Sequence, residues 1–174
     1  MYLPLFQKTP VSVFVFNNVE NAEKLHQELI GQNPAYDYAF IDASSIVSVK
    51  QIYSATMRAL QAQADGQMKS KTLHMEVILS LCPKTEISTA LRQFGMSKKS
   101  KKIVALRING APSEEEELAH VLKIVQGTHL PFSDETFQKL ADMKVVKKNY
   151  KLDVASMQNP TAAILSAIAL RGYS

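Results

Sequence analysis

A chain of 174 residues with 46% hydrophobic and 21% charged residues has the make-up of a folded domain that buries its own core, which excludes a wholly disordered protein. Its net charge of +4 and pI of about 9.1 permit a phosphate-bearing partner without requiring one. A single cysteine, Cys82, excludes an internal disulfide and fits a reducing compartment, and the longest apolar runs, 11–16 and 77–81, are too short to span a bilayer.

The amino terminus, MYLPLFQKTP, has no basic n-region and carries Pro4 early, so it is not expected to be a signal peptide. Residues 11–16, Val-Ser-Val-Phe-Val-Phe, are β-branched and aromatic and predict a strand mostly buried on both faces. Asn17 or Asn18 is expected to cap a helix in which Ala22, Leu25 and Leu29 share a face and which Gly31 ends. Asn33-Pro34 marks a turn, and Tyr-Ala-Phe-Ile over 38–41 a second strand. Ser48 with Gln51 three residues on predicts a capping box that opens a long helix. The apolar stripe of that helix is Ile52, Ala55, Thr56, Ala59 and Leu60, and Gly66 stops it.

A basic connector over 66–72 follows. Leu73, Val77 and Leu81 recur every four residues and predict a helix, although the apolar run 77–79 also suits a strand, and Pro83 halts it. Thr85 is expected to cap the next helix, with Ile87, Ala90, Leu91 and Phe94 inward and Gly95 at its C′ position. Residues 103–108 alternate into a third strand closed by Asn109-Gly110. Ser113 and Glu116 form another capping box, and Glu114 to Glu117 crowd the first turn, where the helix dipole favours anions. The stripe of this helix reads Leu118, Val121, Leu122 and Val125, with Gly127 at its end. Ser133 starts a short helix carrying Phe137 and Leu140, and a lysine-rich segment covers 144–151. Asn159-Pro160 opens a last helix that Gly172 ends. No repeat or long linker divides the chain. The expected architecture is a single α+β domain over 1–174, a small, mostly antiparallel β-sheet packed with several α-helices.

Raw material for catalysis is thin. There is no GxxxxGK[ST] or GxGxxG loop to cradle phosphate, no GxSxG elbow, and His26, His74, His120 and His129 are far apart with no HExxH spacing. Cys82, next to Pro83, reads as a small core hydrophobe. The expectation is a non-enzymatic protein with no metal and no cofactor; an acid–base pair assembled from distant residues is the alternative.

Two segments stand out for binding. Lys69-Ser70-Lys71-Thr72 lies at a helix boundary, where lysine charge and unsatisfied backbone N–H groups together suit a phosphate; the ordinary reading is a polar loop. In the last helix, apolar residues such as Ala163, Ile164, Leu165, Ile168 and Ala169 cover more than one face. A helix with so wide an apolar surface is either enclosed by its own domain or leaves area for a partner. The lysine runs at 98–102 and 139–151 read as solvated loops or helix ends.

Taken together, the segments resemble the PRPK-binding protein family, the small accessory subunit of the EKC/KEOPS complex. The residues carrying the resemblance include Val15-Phe16-Asn-Asn-Val-Glu-Asn-Ala22, Phe40-Ile41-Asp42, 66–73 (Gly-Gln-Met-Lys-Ser-Lys-Thr-Leu) with Glu76, Leu81-Cys82-Pro83, Phe94-Gly95 and Val146-Lys-Lys-Asn-Tyr-Lys-Leu152, with Ala167, Ile168 and Arg171. The resemblance implies a non-catalytic subunit that binds the complex's small atypical kinase/ATPase subunit directly and its threonylcarbamoyl transferase subunit indirectly. It also implies that the chain helps recruit tRNA by its 3′ CCA end for threonylcarbamoyladenosine formation at position 37. Nuclear and cytoplasmic residence, and in fungi links to telomere maintenance and transcription, come with the family; a membrane partner does not. It assigns Leu165, Ile168, Ala169 and Arg171 to the kinase interface and Lys69, Lys71 and Thr72 to tRNA. Three departures are visible: Lys71 where relatives often carry Arg, Cys82 for a common Ser, and a loop at 98–102 more basic than the pattern requires.

Overall fold

The computed structural model describes residues 6–171. Its strands are β1 (Val11–Asn17), β2 (Ala39–Asp42), β3 (Ile103–Ile108) and β4 (Thr128–Leu130). They form one sheet in the order β2-β3-β1-β4, with every neighbouring pair antiparallel. The helices are α1 (Ala22–Ile30), α2 (Val49–Ala64), α3 (Leu73–Leu81), α4 (Ile87–Phe94), α5 (Glu114–Ile124), α6 (Asp134–Leu140), α7 (Met143–Tyr150) and α8 (Pro160–Ala169). Gly172, the expected stop of α8, and the amino-terminal residues 1–5 lie outside the described residues.

The period of two along each strand splits the core into two layers. Val11, Val13 and Val15 of β1 point to one face with Val104 and Leu106 of β3 and Ile41 of β2. Phe14 and Phe16 point to the other with Ile103, Ala105 and Phe40. The first face carries α2, α3, α4, α6, α7 and α8; the second carries α1 and α5. This double coverage is why the strands read as continuous apolar runs. It also identifies residues 73–81 as a helix: from Glu76 to Leu81 every residue is buried, because α3 is enclosed between α2, α4 and the sheet. Of its two polar members, Ser80 donates its hydroxyl back to the carbonyl of the other, Glu76, at 2.8 Å.

Several capping residues differ from expectation. Asn21, not Asn17 or Asn18, precedes α1, and its amide spends itself elsewhere: Nδ2 donates to Ile124 O at 2.8 Å and Oδ1 accepts from Gln126 N at 2.9 Å, tying α1 to the end of α5. Asn18 is instead a turn residue at φ 52°. Glu86, not Thr85, precedes α4, and Gly95 is extended at φ −72°, continuing to a bridge with Ile41 rather than closing a left-handed cap. Ser48 caps α2 through Gln51 N as expected, but the Gln51 side chain turns inward and accepts from Val47 N while donating to Ser45 O and the Tyr150 hydroxyl. Ile87 and Leu122, expected inside, are 38% and 49% exposed. Strand β4 was not foreseen; it forms because Gly127 lets the chain approach β1 closely, where a Cβ would stand 2.9 Å from Asn17 O. The lysine-rich segment forms α7, capped by Asp142 and anchored through Val146, Asn149 and Tyr150.

Candidate interaction surfaces

Helix α8 begins where Asn159 accepts from Ala162 N at 3.2 Å and Pro160 fixes the first helical φ. Residues four apart share a face, so Ile164 and Ile168 turn inward together onto α2 and are 0% and 1% exposed. One step of about 100° further round, Leu165 is half-buried and Ala169 is exposed, and Leu170 just beyond the helix is 62% exposed. Of the four residues assigned to a kinase interface, Leu165 and Ala169 therefore lie on the outer side. Ile168 belongs to the core, and Arg171 is only 5% exposed, its Nε donating to Lys84 O at 3.3 Å. Burial holds the Arg171 guanidinium below its ordinary pKa, with the Glu76 carboxylate opposing that shift and Arg58 adding to it. Arg58 of α2 closes the end of α8: one Nη donates to Ala169 O at 3.2 Å and the other to Arg171 O, cations where the helix dipole is negative.

The connector is ordered by a group that sequence inspection passed over. Glu76, 2% exposed, accepts from Lys69 N at 3.0 Å, Ser70 N at 2.9 Å and the Ser70 hydroxyl at 2.6 Å. The Thr72 hydroxyl accepts from Met75 N at 3.2 Å as the cap of α3. The amides of Lys69 and Ser70 are thus already engaged within the chain, and the Thr72 hydroxyl is engaged as a cap. What the connector presents to solvent is the side chains of Lys69 and Lys71, both exposed. The sequence signal is an acid in the first turn of a mostly apolar helix, which needs donors once buried.

Glu76 also acts electrostatically on Arg171, whose Nε bond to Lys84 O lies past the other end of α3 from the connector. The lysine loop 98–102 lies elsewhere, entering β3 at the end opposite Ile108, whose N–H donates to His74 Nε2 at 3.0 Å.

A buried ionisable cluster joins Glu117, Arg107 and Tyr38. Glu117, expected only as a dipole partner of α5, is 1% exposed and accepts from Ala111 N at 2.7 Å, from Arg107 Nη1 at 3.2 Å and from the Tyr38 hydroxyl. Arg107 also stacks over the Tyr38 ring at 5.0 Å. Burial pushes Glu117 up, but Ala111 N, Tyr38 and Arg107 outweigh it, and its pKa ends below the ordinary value. Burial and the Glu117 hydrogen bond push the Tyr38 phenol well above its own. Gly110 is needed beneath this cluster, since a Cβ there would overlap the Glu117 carboxylate. Every polar atom of Glu117 is satisfied from inside the fold, which makes the cluster a clamp between β3, β2 and α5.

The family described as kinase binding protein CGI-121 matches residues 16–172. The EKC/KEOPS complex subunit cgi121 of Schizosaccharomyces pombe is 59% identical over the full length of both chains. The corresponding subunit of Yarrowia lipolytica is 38% identical, again over the whole of both, and that of Aspergillus terreus is 34% identical over 94% of this chain and 91% of its own. With the match running from β1 through α8, and full-length identity this high, the chain belongs to the kinase binding protein CGI-121 family.

Proposed function

We propose that this chain is a non-catalytic subunit of an EKC/KEOPS complex that docks the small atypical kinase/ATPase subunit through the outer side of α8. Through that partner it would join the threonylcarbamoyl transferase subunit, and through the connector it would help hold the 3′ CCA end of tRNA for threonylcarbamoyladenosine formation at position 37. The observation that carries the docking reading is the apolar surface made by exposed Ala169 and Leu170 with half-buried Leu165, held from behind by Ile164 and Ile168. A stable complex of ordinary size needs about 800 Å² from each partner, so this patch forms the centre of a larger contact. Family membership supports a kinase partner.

The decisive experiment mixes purified kinase subunit with the wild-type chain and with Leu165→Glu. The wild type should co-elute, and the folded variant should not; co-elution of both would remove α8 as the docking element. A second reading, a protein-only scaffold without RNA contact, is favoured by the occupancy of the connector amides by Glu76. Titration with CCA-ended and CCA-trimmed tRNA separates the two: preference for the intact end, weakened by Lys69→Glu with Lys71→Glu, supports RNA recruitment. Nuclear and cytoplasmic residence and the linked telomeric and transcriptional roles belong to the same proposal; a fluorescent fusion and telomere length in a deletion strain test them.

A further inference from the structure

The two lysine runs that are 37 or more residues apart in the chain are stitched side by side in the fold. Lys102 Nζ donates to Leu140 O at 3.1 Å, bringing the loop against the end of α6. Asp42 accepts from the hydroxyls of Ser100 at 2.9 Å and Ser44 at 2.6 Å, and Ser44 O accepts from Asp142 N at 2.8 Å, just where α7 begins. The loop itself is held rather than loose. Ser97 N donates to Ser100 Oγ at 2.9 Å, Lys99 N to Ser97 Oγ at 3.2 Å, and the carbonyls of Lys101 and Lys102 accept from Val19 N and Ala43 N.

On α7, the buried Val146, Asn149 and Tyr150 define the inner side, and Lys144, Lys147 and Lys148 fall within an arc of about 100° on the outer side, all exposed. Helix stability explains only part of this row: Lys147 and Lys148 sit in the last turn, where the dipole favours cations, but Lys144 sits in the first, where it does not. Segments 97–102 and 139–151 together hold nine lysines against one acid, Asp142, which is itself spent capping α7. That is a net +8 in a chain whose total is +4, so all remaining residues sum to −4. Among the described residues the ion pairs are His74–Asp37 and Arg107–Glu117, and no lysine takes part in one.

We infer that the loop 97–102 and the outer side of α7 form a second, sequence-independent binding surface for the phosphate backbone of a nucleic acid, separate from the connector. The connector lies at the start of α3, and α7 reaches the end of α3, where the Tyr150 hydroxyl donates to Leu81 O at 2.6 Å. The lysine loop is at the far end of β3, about 20 Å along its six residues from the His74 contact beside the connector. A polyanion is the occupant that the composition favours. Protein interfaces are depleted in lysine at their cores, and membrane-surface helices need Trp, Phe or Leu beside the cations, whereas the outer side of α7 offers only Met143. Spread over a loop and two helical turns, the charges match a chain of phosphates better than a single one. Because the loop is already ordered, binding does not bear the entropy of ordering it.

The test uses the full chain and fluorescence anisotropy with a blunt RNA duplex of about sixteen base pairs, the same duplex as DNA, and phosphatidylserine-containing vesicles. Wild type should bind the duplexes with affinity that falls steeply with salt. Lys98→Glu, Lys99→Glu, Lys144→Glu and Lys148→Glu together should weaken duplex binding by tenfold or more and reduce the slope of log Kd against log salt by about three. The glutamine quartet should move both in the same direction by less, and either set should keep the wild-type fold by circular dichroism, since all four side chains are exposed. Lys69→Glu with Lys71→Glu should leave binding of the blunt duplex intact. RNA and DNA arms tell which backbone is preferred, and either preference supports the surface. Wild-type binding by the glutamate quartet, loss through the connector pair instead, or binding to vesicles alone would overturn it.

Discussion

Replacing Glu76 separates the two things a connector can supply to an RNA, order and charge. The carboxylate accepts from two backbone amides and one hydroxyl of residues 69–70. Hydrogen bonds to a charged acceptor contribute about 1.5–3 kcal/mol each net, and the Ser70 hydroxyl has an alternative acceptor in Thr72 O, so the two amide bonds carry about 3–6 kcal/mol between them. Glu76→Gln keeps a neutral carbonyl with bonds of about half that strength and should cost about 1.5–3 kcal/mol. Expressed locally, that is an increase of about 10- to 150-fold in amide exchange at Lys69 and Ser70, with α2 and β3 unaffected. Hydrogen–deuterium exchange of residues 67–72 reads it directly, and Glu76→Ala should go further. If a fixed connector is what RNA needs, affinity for a CCA-ended strand falls in parallel; if only charge matters, removing the acid raises it. Unchanged exchange at Lys69 and Ser70 in both variants would refute the account of how the connector is held.

Ile168→Ala should destabilise the isolated chain by about 2–5 kcal/mol, a loss of about 5–15 °C in melting temperature, because the side chain is 1% exposed; a surface role for Ile168 would leave the melt unchanged. Ile168→Glu should therefore fail by unfolding, unlike Leu165→Glu. Glu117 has a folded pKa below its unfolded one, so its stabilisation is complete above the unfolded value near about 4.3 and disappears as pH falls through the folded value. The melting difference between wild type and Glu117→Gln should accordingly shrink on acidification, and a difference that grows would contradict the clamp. Burial raises the pKa of the Cys82 thiol and leaves it 0% exposed, so it should resist thiol reagents in the native state and react on unfolding; rapid native labelling at neutral pH would contradict this.

Short-range periodicity was enough to identify much of this protein. The β-branched and aromatic run 11–16 and the stripe Ile52, Ala55, Thr56, Ala59, Leu60 fall on buried positions of β1 and α2, whereas 103–108 forms the expected strand without the expected alternation, because β3 is covered by helices on both faces. The order of motifs was sufficient for the family. Other features depended on contacts between residues distant in the chain. Asn21 abandons its cap for Ile124, Gln51 leaves its box for Tyr150, and β4 exists only because Asn17 and Val15 offer it an edge. For α8, composition announced an apolar helix, yet only packing against α2 decided that Ile168 is core and Leu165 and Ala169 face outward.

The charged groups divide the same way. Lysine positions are a property of the chain, but whether two runs form one surface, and whether Glu76 and Glu117 are solvated or enclosed, depends on which elements the fold sets opposite them. The physical reason is range. Backbone geometry and side-chain shape act between neighbours in sequence, whereas burial and the pairing of charges act between neighbours in space, and those are known only once the sheet and its two helical layers have formed.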